Sequence, residues 1–185
     1  GNAELLAMFE SKTFDRETAA RILAEISDLN QPILDSGGYS TTYLYEAETY
    51  NNVEAVRFLL ENGADPNYCN LDILNACALD DLHFLWEEMQ EEAAQRLEIA
   101  KLFFEYGGDP DLWYETETLY DHVLWEVFMI ELTPHRFYKE YFFRFFVLLI
   151  AYGGGQGKSN NMKPQLTEPI DKSRIDEYEF KLIKC

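Results

Sequence analysis

The sequence predicts an all-α chain built from helix pairs repeated in tandem. Three observations carry that expectation. The tract Leu59-Leu60-Glu61-Asn62-Gly63-Ala64-Asp65-Pro66-Asn67 returns as Phe103-Phe104-Glu105-Tyr106-Gly107-Gly108-Asp109-Pro110-Asp111, and in part as Leu149-Ile150-Ala151-Tyr152-Gly153-Gly154. Apolar residues within and before these tracts fall at helical spacing. The chain has 185 residues, of which 47% are hydrophobic and 15% aromatic, ample for the core of one domain. A repeated helix pair cannot bury its apolar face alone, so three or more units must stack into a solenoid.

Taken in order, Leu5, Leu6 and Phe9 suggest a first short helix. Asp15 with Thr18, followed by the row Ala19, Ile22, Leu23 and Ile26, predicts a second over about residues 15 to 28. Gln31-Pro32 and Gly37-Gly38 make a connecting loop. Thr42, Leu44 and Ala47 open a short helix, Asn51-Asn52 turn the chain, and Val53, Val56, Phe58, Leu59 and Leu60 form the apolar face of the next. Gly63 ends that helix, since a left-handed terminal residue is cheap only for glycine, and Pro66 blocks its continuation. Residues 82 to 106 form either one long helix capped by Asp80-Asp81 or two helices broken near Glu91 to Gln95. Thr133 as N-cap and Pro134 as first helical residue place helices at about 117 to 131 and 134 to 152. The last carries Phe142, Phe143, Phe145 and Phe146, which implies burial by the tail beyond it. In that tail Tyr178 to Lys184 alternates like a short strand, with Phe180 and Leu182 expected over the Phe-rich helix.

Residues 42 to 67, from Thr42-Tyr43-Leu44-Tyr45 to Ala64-Asp65-Pro66-Asn67, resemble one ankyrin repeat without a gap; Tyr45 replaces the family's His. The resemblance extends over about 30 to 155. It implies an ankyrin-like solenoid over residues 1–155, with an N-terminal cap at 3–30 and repeats at about 40–67, 71–111 and 112–155, followed by a C-terminal tail at 156–185 packed on the last repeat. The turn glycines lie 44 and 46 residues apart, against about 33 in the family. That points to a divergent, bacterial-type member with lengthened helices and short hairpins before Leu74 and Leu119. Ankyrin proteins bind protein partners through the hairpin tips and the exposed face of the first helices. The matching positions here are Tyr43, Glu46, Tyr50, Tyr68, Asn70, Trp113, Tyr114 and Asp121. Tyr and Trp beside carboxylates suit such interfaces, although Tyr43 and Trp113 fit packing between repeats equally well.

Charge adds to this. The net charge is −19, and residues 46 to 131 hold 21 acidic against 3 basic side chains. Such a field suits a basic protein partner or simply keeps the chain in solution, and it opposes nucleic-acid binding, which depends on neutralising phosphates. Glu87, Glu88, Glu91 and Glu92 set like charges at i,i+4 spacing, a mild cost that fits a solvated face. The longest apolar run, Phe145 to Tyr152, is too short to span a bilayer, so no membrane partner is expected. The three cysteines, Cys69, Cys77 and Cys185, read as free thiols in a reducing compartment, and the expected location is cytoplasmic. The start at Gly1-Asn2 without a Met leaves open a leader removed upstream.

Catalytic chemistry is thin. Gly153-Gly154-Gly155-Gln156-Gly157-Lys158-Ser159 follows an apolar run as a phosphate-binding loop would. Tyr152 breaks the motif at its first position, and Asn160-Asn161-Met162-Lys163-Pro164 is a poor helix start. His83, His122 and His135 are scattered; His83 and Glu87 could share a helix face and hold a metal weakly, but a solvated pair fits them better. The expectation is therefore a non-enzymatic interaction scaffold with no catalytic residue, metal or cofactor. Two alternatives are an inhibitor or immunity-type protein that masks a basic partner, and a nucleotide-binding protein using residues 152 to 159.

Overall fold

The computed structural model describes residues 2–67, 90–114, 117–129, 136–155 and 172–174. Helices dominate these residues: α1 (Asn2–Glu10), α2 (Arg16–Leu23), α3 (Tyr43–Thr49), α4 (Val53–Glu61), α5 (Gln90–Glu105), α6 (Leu119–Met129) and α7 (Arg136–Ala151). Strands β1 (Ile33–Leu34) and β2 (Ser40–Thr41) form one antiparallel hairpin, with Ile33 opposite Thr41. Strands β3 (Trp113–Tyr114) and β4 (Glu117–Thr118) form a second, with Trp113 opposite Thr118. Each strand of both hairpins is two residues long. The hairpin expected before Leu74 lies outside the described residues, as do the Thr133-Pro134 cap and the expected strand over Tyr178 to Lys184.

Local chemistry starts these helices. Asp15 accepts from the N–H of Glu17 at 3.1 Å, Thr42 from Tyr45 at 3.2 Å, and Asn52 from Ala55 at 3.1 Å, so each satisfies a donor left over by its helix. Asn52 also donates from Nδ2 to the carbonyls of Met8 and Phe9, which ties the end of α1 to the start of α4. Helix α2 stops at Leu23, short of the expected residue 28. The N–H groups of Glu25 and Ile26 bond to carbonyls three residues back, a tighter turn that ends the α-helix.

The three turn glycines behave alike. Gly63, Gly107 and Gly153 have φ of +97°, +95° and +87°. In each case the following N–H (Ala64, Gly108, Gly154) reaches back to the carbonyl of Leu59, Phe103 or Leu149. This is the paired C-terminal cap that a left-handed residue permits.

The helices pack as pairs, α1 on α2, α3 on α4, and α6 on α7. Between pairs, α4 packs on α5 and α5 on α7, while α1 packs on α3. Helices α4, α5 and α7 thus line up as one layer, and α1 and α3 pack side by side. The core lies between them, with Phe9, Ala47, Val56, Leu59, Phe103, Val123, Phe142 and Phe145 fully buried. Aromatic contacts knit its C-terminal half: Phe104 meets Phe145 edge-on at 6.5 Å, and Tyr120 meets Phe146 at 5.7 Å. Lys172 lies at this end as well, its Nζ 4.4 Å from the ring centre of Tyr152.

One set of hydrogen bonds recurs between successive units. Asn30 accepts from the Asp65 N–H at 2.8 Å and donates to the Gly63 carbonyl at 3.4 Å. Asn67 does the same one unit on, to Asp109 at 2.9 Å and Gly107 at 2.8 Å. Asp111 then accepts from the Gly155 N–H at 2.8 Å. Each of these residues is held by a preceding aspartate: Asp28 accepts from Asn30, Asp65 from Asn67, and Asp109 from Asp111, all at 2.8–2.9 Å. The tripeptide Asp28-Leu29-Asn30 is therefore built like Asp65-Pro66-Asn67 and Asp109-Pro110-Asp111.

Candidate interaction surface

Helix α3 is only seven residues long, and its inner face is fixed by burial of Tyr43, Leu44, Ala47 and Glu48. Tyr43, expected on the binding face, is 5% exposed and part of the core, because the first turn of α3 points it inward beside Leu44 and Ala47. Its ring is packing area, not contact area. Glu46 and Tyr50 lie on the outer side. Glu46 is half-buried and accepts from the Thr41 hydroxyl at 2.8 Å, which joins α3 to the β1–β2 hairpin. The Tyr50 phenol titrates above its ordinary range, first through partial burial and then through the carboxylates of Glu10, Glu46 and Asp35. Those three carboxylates belong to α1, α3 and the hairpin turn, and their charges act together on Tyr50.

The remaining expected positions are separate. Trp113 and Tyr114 form β3 by their backbones, and Asp121 is half-buried in the first turn of α6, where its N–H bonds to Thr118 Oγ1 at 3.1 Å. Tyr68 and Asn70 lie outside the described residues. Four exposed side chains lie outside the expected positions: Leu34 at 64%, Tyr39 at 75%, Tyr106 at 42% and, on α6, Trp125 at 58%. The hairpin pair had a signal. Asp35-Ser36-Gly37-Gly38 between apolar residues is a turn pattern, although it fits a plain connecting loop as well. Trp125 had none beyond its position in an otherwise apolar helix.

Behind this surface α3 carries a buried polar group. Glu48 is 5% exposed, and its Oε2 has no hydrogen-bond partner. Burial pushes its carboxyl up to about 8, against a smaller opposing pull from Arg96. Next to it Asn51, in a left-handed conformation at φ +56°, donates to the Glu92 carbonyl at 3.1 Å and to Gln95 Oε1 at 2.9 Å. This polar cluster fastens the α3–α4 turn to α5.

The glycine segment after α7 is occupied in another way. The N–H groups of Gly153, Gly154 and Gly155 bond to Ile150, Leu149 and Asp111 respectively. None of the three is left for a phosphate oxygen. The rest of the loop, including Lys158, and the His83–Glu87 pair lie outside the described residues. His122 meets Glu117 at 2.7 Å through Nδ1. Among the described residues no group of three or more His, Cys, Asp or Glu gathers as metal ligands do, and no helix is long and apolar enough to cross a membrane.

A unit of two short antiparallel helices, entered from a hairpin and left through a Gly-x-Asp-Pro-Asn turn, is what residues 41 to 67 display. Residues 41–71 match the ankyrin repeat family model. No curated protein and no solved structure matches the chain. The match spans α3 and α4, so Glu46, Tyr50 and the buried Glu48 all lie within the stretch that matches the ankyrin repeat model.

Proposed function

We propose that the chain is an ankyrin-repeat solenoid whose work is to bind another protein through its hairpins and first helices. The observation that carries this reading is the recurring Asn30, Asn67 and Asp111 ladder. It supports taking the family-matched repeat as one of a stacked series rather than an isolated motif. The same ladder supports counting α1–α2 as the first unit, ahead of the matched one. Ankyrin repeats generally mediate protein–protein contacts, and the outer side of α3 with its hairpin offers aromatic and carboxylate groups on rigid elements. The reading assigns no catalytic residue and no cofactor, and places the chain in the cytoplasm. On the second unit the contact residues are Glu46 and Tyr50. Asp121, with Trp113 and Tyr114, serves the later hairpin, and Tyr68 and Asn70 the loop between.

Cross-linked affinity capture tests it. Wild-type chain and a Tyr39→Ala/Tyr50→Ala variant are each immobilised and exposed to lysate of the source cells. The reading expects a protein retained by the wild type, cross-linked near residues 33 to 50, and lost by the variant. Retention by both, with cross-links confined to α2, α4 and α5, would overturn it.

A further inference from the structure

The ion pairs of the first units are distributed unevenly. On the second-helix layer Arg16 pairs with Glu61 and Glu54, and Arg57 with Glu54 and Glu98. These pairs run from α2 to α4, within α4 and from α4 to α5, so Glu54, Glu61 and Glu98 are each met by a neighbouring guanidinium. On the other side no ion pair among the described residues involves Glu10, Asp35 or Glu46. Asp35 Oδ1 accepts only backbone N–H groups, from Gly37 and Tyr39 at 2.8 Å each, and Glu46 accepts a neutral hydroxyl.

Apolar surface stands beside these carboxylates and is held rigidly. The Asp35 N–H bonds to the Tyr39 carbonyl at 2.9 Å and the Gly38 N–H to the Asp35 carbonyl at 3.1 Å, which with the two Asp35 side-chain bonds locks the turn. The Tyr39 ring lies over Gly37, where an added Cβ would come within 3.2 Å of Cδ2. One face of the ring is therefore parked on the turn, and the residue is still 75% exposed. Leu34 flanks it at 64%. A rigid aromatic and an aliphatic side chain held outward lose little entropy on binding, which is what an anchor point requires.

We propose that the β1–β2 hairpin and the adjoining outer edge of α3 dock a cationic segment of a partner protein, one that presents an apolar side chain next to Arg or Lys. The apolar side chain rests on Leu34 and Tyr39, and the cations take the carboxylates of Glu10 and Glu46 together with the rings of Tyr39 and Tyr50. Charge complementarity selects this occupant. An acidic or neutral segment would leave three carboxylates unpaired beneath it and add repulsion or desolvation cost. A guanidinium meets both a carboxylate and an aromatic face. The proposal rests on the protein-binding reading above and specifies the chemistry of its partner.

The probe is a capped peptide of alternating Leu and Arg, six residues long, with the same peptide carrying citrulline for Arg as its neutral counterpart. Binding to the full chain is followed by amide chemical shifts and by affinity. The Arg peptide should shift the signals of residues 33 to 41, Glu46 and Tyr50. Glu10→Gln and Glu46→Gln should each weaken it roughly two- to fivefold, as exposed ion pairs do. Tyr39→Ala should weaken it about tenfold, as loss of an anchor does. Glu54→Gln with Glu98→Gln should change nothing, and affinity should fall as salt rises from about 0.05 to 0.5 M. Equal affinity of both peptides for the hairpin would overturn the cationic specificity and leave the protein-binding reading standing. Equal sensitivity to the Glu54/Glu98 and Glu10/Glu46 variants would reduce the effect to the overall field and likewise overturn it. Absence of hairpin shifts at about 1 mM Arg peptide, the weak end of measurable affinity, would also overturn the proposal. The protein-binding reading fails separately, when capture yields no partner that depends on Tyr39 and Tyr50.

Discussion

Replacing Glu48 by Gln should make the protein more stable, and by an amount that grows with pH. The carboxyl is 5% exposed and titrates at about 8 instead of 4.5, because burial disfavours its charged form more than Arg96 favours it. The sign follows from proton counting. Between those two values the folded chain holds a proton that the unfolded chain has released. Unfolding therefore becomes easier as pH rises through the window from about 4.5 to 8 and levels off above it. Each unit of difference corresponds to about 1.4 kcal/mol, so between pH 5 and pH 8 the wild type should lose roughly 3 kcal/mol relative to Glu48→Gln. Other groups titrate over the same range, and the net charge of −19 at pH 7 adds its own repulsion. Subtracting the variant removes both. The assay is urea unfolding of the two proteins at pH 5, 6, 7 and 8, with equal m-values required before midpoints are compared. Parallel stability curves would refute the argument, since they would mean Glu48 ionises in the folded protein as it does in the unfolded one.

Three further outcomes follow from the structure. Gly63→Ala and Gly107→Ala should each destabilise by about 1 kcal/mol in the same urea assay, because φ is +97° and +95° at these positions. Asn67→Ala removes both bonds to the following unit and should cost about 1–2 kcal/mol, with Asn30→Ala similar; amide exchange should quicken at Asp109 and Asp65 respectively. Finally, ATP or GTP should not raise the melting temperature, since the Gly153–Gly155 amides are engaged within the chain. A nucleotide-dependent rise that disappears in Lys158→Ala would reverse that expectation.

The parts of the fold legible in the sequence were those set by local backbone chemistry. Gly63, Gly107 and Gly153 marked helix ends because only glycine takes the left-handed conformation without strain. Asp15 and Thr42 marked helix starts because their side chains complete the cap. Periodicity alone was less reliable. The row ending at Ile26 suggested a helix to residue 28, yet Ile26 still packs on the core from a tight turn beyond Leu23. Strands of two residues, as in β1 and β2, are too short to show alternation, so the sequence does not distinguish the hairpin that exposes Leu34 and Tyr39 from a loop. Tyr43 fits packing and contact equally well in the sequence, and the structure buries it. The burial of Glu48 had no local signal, because it depends on partners far along the chain such as Arg96 on α5.

The two sides of the array divide their chemistry. On the second-helix layer and in the turn ladder, polar groups are spent on neighbouring units: Arg16 on Glu61, Arg57 on Glu98, Asn30 and Asn67 on the next turn. On the hairpin side, Glu10, Asp35 and Glu46 form no ion pair with another unit among the described residues, and Tyr39 is 75% exposed. Substitutions should sort the same way. Asn67→Ala should lower stability and leave affinity for a docked segment nearly unchanged, since the hairpin keeps its shape while the array is folded. Glu10→Gln and Tyr39→Ala should lower affinity with stability within about 0.5 kcal/mol of wild type, the usual range for exposed positions. Measured on one set of variants, a strong correlation between the two losses would mean that the hairpin is part of the stacking. It could not then be a surface set aside for a partner.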